Sequence, residues 1–113
     1  MIIVKEKTIM VSKGDTFNTL FYVDPDKGYK FDGTETITFN IKERTDDTGS
    51  PLVSIRCGID TLNNIISVYA TKTEMAVLGE GNYLYDLVMD KNGVRITLLY
   101  PAKFIVKGVV HNE

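Results

Sequence analysis

The sequence has one cysteine, one histidine and no tryptophan, and these low counts limit the disulfides, metal sites and catalytic sites that it can form. A single cysteine, Cys57, cannot form an internal disulfide or a metal site that needs two thiolates. Neither charge dominates, since 13 Lys and Arg face 15 Asp and Glu for a formal net charge of −2. The chain therefore has no surplus of positive charge to bind phosphates or an anionic membrane surface. We expect no nucleic-acid partner and no membrane partner.

Long apolar stretches are also missing. The longest one near the start covers residues 1–4, and Lys5 and Glu6 end it well short of a signal-peptide core or a membrane span. The composition, 43% hydrophobic and 25% charged, is that of an ordinary globular protein. A chain of 113 residues is long enough for one hydrophobic core. We expect a single domain over residues 1–113, with no signal peptide or transmembrane segment.

Short segments of alternating apolar and polar residues recur along the chain, and this period of two is typical of half-buried β-strands. In the clearest segment, residues 36–42, the apolar Ile37, Phe39 and Ile41 share one face. Seven further strands are predicted on the same basis, at residues 7–11, 16–23, 53–57, 66–71, 83–89, 94–99 and 104–110. The last of these follows Pro101, which we expect to separate it from the strand before.

Two local signals mark connections between the strands. Asn92-Gly93 supplies the positive φ angles that a tight hairpin loop needs, so the strands on either side of it should form a hairpin. A single helical turn is predicted at residues 73–78, with Thr71 or Thr73 as its N-cap and Gly79 as its end. We expect this turn to carry the chain from one sheet to another.

Seven to eight short strands with one buried face each favour two antiparallel sheets packed face to face, as in an immunoglobulin-like β-sandwich. Tyr83, two residues after Gly81 at the start of a strand, has the position of the tyrosine corner of such sandwiches. Its hydroxyl should bond to backbone upstream. The strands at residues 7–11 and 104–110 are predicted to be sheet edges, where a strand of another chain can add.

Several segments occur in an order that matches a known family: Phe39-Asn40-Ile41-Lys42, residues 78–81, Tyr83-Leu84-Tyr85-Asp86-Leu87, Ile96-Thr97-Leu98 and Phe104-Ile105-Val106. Over residues 16–110 the chain resembles the immunoglobulin-like N-terminal domain of phage baseplate and tail proteins, of the upper baseplate protein type. The resemblance implies a stand-alone structural module of the virion, assembled in the host bacterial cytoplasm. Its expected partners are other virion structural proteins or copies of itself, in a homo-oligomer.

The loop at residues 24–33 and the start of the next strand carry spaced acidic residues. Counted from Asp24, the four acids Asp24, Asp26, Asp32 and Glu35 take positions 1, 3, 9 and 12 of an EF-hand calcium loop. Position 6, where that loop needs glycine, is Tyr29, and the flanking segments are predicted strands rather than helices. We therefore favour a solvated turn over a metal site, and we expect no cofactor.

Three aromatic residues of the same region, Tyr22, Tyr29 and Phe31, are candidates for an interface, because exposed aromatic rings are effective anchors. An alternative function uses the same segment. A carbohydrate-binding or calcium-dependent adhesion module could bind its ligand at the 24–35 loop, with Tyr29 as a stacking platform.

The residues that would catalyse a reaction are missing or badly placed. Cys57 ends a strand with no neighbouring base, which favours a buried apolar role, and His111 lies near the chain end, where ordering is usually poor. No nucleophile therefore has a general base. Adjacent acids such as Asp46 and Asp47 lie in a polar loop at residues 45–51, where both would be ionised. We expect that the protein is not an enzyme.

Overall fold

The computed structural model describes residues 7–43 and 51–108 and shows an all-β fold with one short helix. Residues 1–4, most of the loop at residues 45–51, the end of the last predicted strand and His111 lie outside the described residues. The elements in chain order are β1 (Ile9–Ser12), β2 (Phe17–Tyr22), β3 (Thr36–Lys42), β4 (Val53–Arg56), β5 (Gly58–Asp60), β6 (Ile65–Ala70), α1 (Lys72–Met75), β7 (Gly81–Lys91) and β8 (Val94–Lys107).

The strands form two sheets that pack as a sandwich, which confirms the predicted fold class. The five-stranded sheet has the order β1-β8-β7-β3-β4, and the three-stranded sheet has the order β2-β6-β5. If the eight strands are lettered A, B, C, C′, D, E, F and G in turn, the second sheet is B-E-D, and C, F and G share the first, as in immunoglobulin folds.

One pair of strands departs from the predicted antiparallel arrangement. β1 runs parallel to β8, with Ile9 opposite Phe104 and Ser12 opposite Lys107. Parallel neighbours need a long connection between them, and here almost the whole chain separates the two strands. This pairing buries Ile9 against the core side of Phe104. The prediction of wholly antiparallel sheets was therefore wrong at this edge.

An aromatic cluster joins the two sheets in the centre of the sandwich. Phe17 and Phe21 of β2 meet Phe39 of β3, Tyr85 of β7 and Phe104 of β8. Phe39 stacks on Tyr85 with ring centroids 5.0 Å apart, and Phe17 meets Phe104 edge to face at 5.3 Å. Such pairs add about 0.5–1.5 kcal/mol each beyond the burial of their area.

Pro101 does not end a strand, contrary to the prediction, because β8 continues through it. The register shifts around this point: Tyr85 pairs with Ala102 but Leu87 pairs with Leu99, so β8 has one extra residue there. A β-bulge of this kind leaves a residue unpaired, and a proline without an N–H is tolerated in that position. β8 is consequently one bent strand of 14 residues rather than two short ones.

Two predicted edges had different outcomes. β1 lies at the end of the five-stranded sheet, as predicted for residues 7–11. The prediction for residues 104–110 was wrong, since the described part of that segment belongs to β8, which lies between β1 and β7. The remaining sheet ends in the described chain are β4, β2 and β5.

The predicted strand at residues 53–57 is shorter than expected and is followed by a strand of the other sheet. β4 ends before Cys57, and β5 begins at Gly58, so the chain changes sheets within one residue. Gly58 stands opposite Ser67, and a Cβ at position 58 would lie 2.6 Å from the Ser67 hydroxyl oxygen. Glycine is therefore the residue that lets β5 approach β6 here.

The helical turn has the predicted role but is shorter than predicted, since it ends at the Ala76 C-cap rather than at Gly79. α1 connects β6 to β7 and thus the two sheets. Thr71 is its N-cap: the Thr71 hydroxyl oxygen accepts from the Glu74 N–H at 3.1 Å, and the Glu74 carboxylate accepts from the Thr71 N–H at 2.9 Å. This reciprocal pair is a capping box. No helix in the described part of the chain is long and apolar enough to cross a membrane.

The tyrosine corner is confirmed, because the Tyr83 hydroxyl donates to the Gly79 carbonyl oxygen at 2.8 Å. We predict that Tyr83→Phe lowers the free energy of unfolding by about 1 kcal/mol, since it removes one hydrogen bond and little else. Urea denaturation measures the change. Tyr69→Phe, which removes the hydroxyl of an exposed ring on another strand, is the matched control and should leave stability unchanged. Equal losses in the two variants would contradict the role of the corner.

Candidate functional site

The loop between β2 and β3 is fixed by one buried polar side chain, Asn64. Its amide nitrogen donates to the carbonyl oxygens of Val23 at 2.6 Å and Tyr29 at 2.7 Å. Its amide oxygen accepts from the Phe31 N–H at 2.8 Å. Asn64 itself has a φ of 57°, a left-handed conformation that asparagine tolerates better than most residues. The turn between β5 and β6 therefore holds the loop along its length.

A second network closes the far end of the same loop. Lys91 of β7 lies 2.6 Å from a carboxylate oxygen of Asp32 and donates to the Tyr29 hydroxyl oxygen at 2.9 Å. The Tyr29 hydroxyl in turn donates to Glu35 at 2.7 Å. Glu35 also accepts from the backbone N–H groups of Asp32 at 3.1 Å and Gly33 at 3.0 Å. All the polar groups of this network have partners.

These contacts set the protonation of the network. Burial opposes ionisation of Glu35, but the hydrogen bonds from Tyr29 and from backbone N–H groups outweigh it and hold the Glu35 pKa below its usual value. The hydrogen bond from Lys91 lowers the pKa of Asp32, and the same contact raises the pKa of Lys91. The pair is thus locked in its charged form. Because the lysine is charged and both acids are ionised, the cluster is not arranged for proton transfer. Its contacts instead attach the loop to β7.

The four acids of the EF-hand spacing do not assemble a metal site. Asp32 and Glu35 are held by Lys91 and the loop backbone, whereas Asp24 accepts the Asp26 N–H at 2.9 Å in a separate turn. Within residues 7–43 and 51–108, no three Asp, Glu, His or Cys side chains form a group that could hold a metal ion. The loop also differs from an EF-hand in lying between two strands and in having Tyr29 where that loop has glycine.

The three aromatic candidates occupy different environments. Phe31 is 1% exposed and packs against Tyr29 with ring centroids 5.4 Å apart, so its prediction as an exposed anchor was wrong. The Phe31 N–H is bonded to the buried Asn64 side chain, and this contact holds Phe31 on the core side of the loop. Tyr29 is half-buried, and its hydroxyl is engaged by Glu35 and Lys91. Tyr22 is 59% exposed at the end of β2, where an interface residue was expected.

Tyr22 belongs to a larger exposed surface on the outside of the three-stranded sheet. Leu20 is 55% exposed and Tyr69 is 56% exposed, and both point to the same side as Tyr22. Leu20 stands opposite Ser67, which places Tyr69 of β6 on its diagonal. Diagonal neighbours on one face lie within reach of aromatic side chains. We call the side chains of Leu20, Tyr22 and Tyr69 the apolar face.

The strand that carries most of this face is also a sheet end. β2 pairs with β6 on one side, and no other described strand pairs with it on the other. The Lys7 ammonium lies along this open side, where it donates to the Thr19 hydroxyl at 2.7 Å and to the Leu20 carbonyl oxygen at 2.9 Å. It also lies 4.5 Å from the centre of the Phe21 ring. Burial lowers the pKa of Lys7.

The outside of the five-stranded sheet is different in character. Asn40 of β3 lies between two polar neighbours, accepting from the Ser54 hydroxyl at 2.9 Å and donating to Asp86 at 3.1 Å. Lys42 lies 3.5 Å from the same Asp86 carboxylate. This ladder of polar cross-strand pairs is satisfied internally. The centre of this outer face is therefore polar, and its exposed apolar side chain Met10, 58% exposed, lies on the edge strand β1.

Two parts of this surface were missed from the sequence, Leu20 with Tyr69 and the contact made by Lys7. The alternation of β2 could have predicted Leu20, because Leu20 and Tyr22 lie on the same side of the strand and the core residues Phe17 and Phe21 lie on the other. The Lys7 contact depends on how the two sheets meet, and no local pattern encodes it. Cys57 is buried as predicted, and burial raises the pKa of its thiol to about 12.

No protein-family model matches this chain, and no curated protein matches it either.

We predict that Asn64→Ala destabilises the protein by about 2–4 kcal/mol, because it leaves buried backbone groups without partners. Asn64→Asp keeps the oxygen that accepts from Phe31 but loses the amide that donates to Val23 and Tyr29. Its loss of stability should be large as well. Asn63→Ala, a change in the exposed neighbouring residue, is the control and should cost less than half as much in urea denaturation. A loss no larger than the control's would show that the loop does not depend on Asn64.

The depressed pKa of Glu35 predicts a pH dependence. A carboxyl group with a lower pKa in the folded state stabilises it above the unfolded value, here 4.5, and this contribution disappears as the pH falls through the folded value. Tyr29→Phe removes the hydroxyl that donates to Glu35, so its unfolding free energy should fall less steeply below pH 4.5 than that of the wild type. Tyr22→Phe is the matched control. Parallel pH curves for all three proteins would contradict the assignment.

Proposed function

We propose that this protein is a structural module of a phage or prophage virion, which helps assemble the tail or baseplate by binding copies of itself or a neighbouring structural protein. The observation that carries the proposal is the apolar face, which places two tyrosines and a leucine in solvent on one side of a compact sandwich. Exposed tyrosines of this kind are typical anchors of protein interfaces. The resemblance to phage baseplate domains supplies the biological setting.

The chemistry of the described residues supports a role in binding rather than catalysis. The most polar cluster, built from Tyr29, Asp32, Glu35 and Lys91, is closed on itself by hydrogen bonds and ion pairs. Burial keeps the Cys57 thiol protonated, so it is a poor nucleophile. Neither group offers a reactive atom to a substrate. The protein acts through its shape and its surface.

The alternative, a ligand-binding module at the 24–35 loop, has less support. Its proposed stacking platform, Tyr29, is half-buried with its ring against Phe31. Three of its four acids, Asp24, Asp32 and Glu35, already have cationic or backbone partners. A sugar or an ion would have to displace the Lys91 contacts before it could bind. Millimolar calcium should accordingly leave the melting temperature unchanged, whereas an increase on addition of calcium would favour the alternative.

The virion role is tested in the cells that encode the protein, by density-gradient purification of the particles they release. We expect mass spectrometry to find the chain in these particles at a fixed ratio to the other structural proteins. A variant with Leu20, Tyr22 and Tyr69 all changed to serine should be depleted from the particles by about tenfold or more, because several interface anchors are lost together. These side chains are exposed, so the variant should retain the wild-type melting temperature.

The matched control changes three other exposed apolar residues to serine, Leu62, Val77 and Val94, which lie outside the apolar face. This control should enter particles at the wild-type level. Particles that contain none of the protein would rule out the virion role. Depletion of the control and the test variant to the same extent would rule out the apolar face as the surface responsible.

A further inference from the structure

We infer that β1 is exchanged between copies of this chain, so that β1 of each molecule pairs with β8 of the other. This inference rests on the proposed function, because it names a contact by which the module binds copies of itself, and that contact is separate from the apolar face. Exchange of an identical element needs no new interface, since the contacts of the closed monomer are made again between two chains. The evidence lies in how β1 is attached and in the turn that follows it.

β1 is a short edge strand with few contacts to the core. It has four residues and runs parallel to β8, with Ile9 opposite Phe104. Ile9 is its one buried side chain, Val11 is partly buried against the core, and Met10 is 58% exposed. A strand that buries so little apolar surface can leave its sheet more easily than a central strand. The site that it leaves fits β1 of a second copy, because β1 occupies that site in the monomer.

A cleft separates β1 from β2, the strand that follows it. The cleft has a volume of about 540 Å³, with residues 7–12 on one side and residues 15–19 on the other. The backbone of β1 is therefore held by β8 rather than by β2. Lys7 reaches across, and its ammonium donates to the Thr19 hydroxyl at 2.7 Å and to the Leu20 carbonyl oxygen at 2.9 Å. After exchange, the same bonds form between two chains.

The turn between β1 and β2 has the conformation of a closed hinge. Gly14 has a φ of 87°, in the left-handed region, and the Asp15 N–H donates to the Ser12 carbonyl oxygen at 3.2 Å. Residues 12–16 are all exposed, so the turn can open without uncovering core side chains. In the exchanged dimer these residues are extended, and position 14 no longer needs the left-handed conformation that favours glycine.

Gly14→Val tests the hinge. Valine is strained at a φ of 87°, and a Cβ at position 14 would meet no atom within 4 Å, so the substitution acts on the turn conformation alone. It should destabilise the closed monomer and spare the extended hinge, which strengthens dimerisation about tenfold or more because each dimer contains two hinges. Gly93→Val is the matched control, since Gly93 has a φ of 80° and equally open surroundings in the β7–β8 turn. Sedimentation velocity should show no increase in its dimer fraction.

A cysteine pair identifies which chain supplies β1. Met10 and Ile105 are register partners, and neighbouring strands lie about 4.8 Å apart, within the reach of a disulfide. After equilibration at high concentration, oxidised Met10→Cys/Ile105→Cys should give covalent dimers in denaturing gels, whereas dilute protein should form the link within one chain. Val88→Cys/Thr97→Cys, a register pair of the β7–β8 hairpin, is the control and should form links only within a chain. The native Cys57 is buried.

The outcomes separate this inference from the proposed function. Met10–Ile105 links confined to single chains at every concentration overturn the exchange, as does a Gly14→Val variant that dimerises no more than the wild type. If the exchange fails but the chain is still found in virus particles, the virion role stands with a different contact. If the exchange is confirmed but particles lack the chain, the exchange stands and the virion role falls.

Discussion

The aromatic contacts between β2 and the five-stranded sheet determine which side chains of β2 are buried and which are exposed. Phe17 and Phe21 must point inward to meet Phe39, Tyr85 and Phe104, and successive side chains of a strand alternate in direction. Asn18, Leu20 and Tyr22, the residues in between and next to them, therefore point outward. A register shift of one residue would expose two phenylalanines and bury a leucine and a tyrosine in their place. The core therefore fixes the composition of the surface that we propose for binding.

Polar groups in the same molecule serve mainly to hold loops in place. Asn64 connects the β5–β6 turn to the loop that follows β2, and Lys91 connects β7 to the other end of that loop. Buried hydrogen bonds of this kind are costly to leave unmade, so they specify one loop conformation. The loop between β2 and β3 is therefore held in one conformation next to the end of β2. Two of its acids, Asp32 and Glu35, are consequently turned toward Lys91 and the loop backbone.

Much of the sandwich was predictable from the sequence, because its strands alternate on one face and its turns have characteristic residues. The Asn92-Gly93 hairpin, the Thr71 cap and the Tyr83 corner are local signals, and all three are confirmed. The failures involve residues that are distant in sequence. Neither the parallel pairing of β1 with β8 nor the bulge that accommodates Pro101 has a local pattern. Phe31 is buried by Asn64, a partner 33 residues away, and the acids near it pair with Lys91 from another strand.

The central claim is that the inward aromatic residues of β2 fix Leu20 and Tyr22 on the outer face of the sheet, and thiol labelling of the folded protein tests it most directly. Leu20 is 55% exposed, so Leu20→Cys should take up one maleimide per chain. The wild-type protein, whose single cysteine is the buried Cys57, should remain unlabelled under the same conditions. A folded Leu20→Cys variant that resists labelling as strongly as Cys57 would contradict the account.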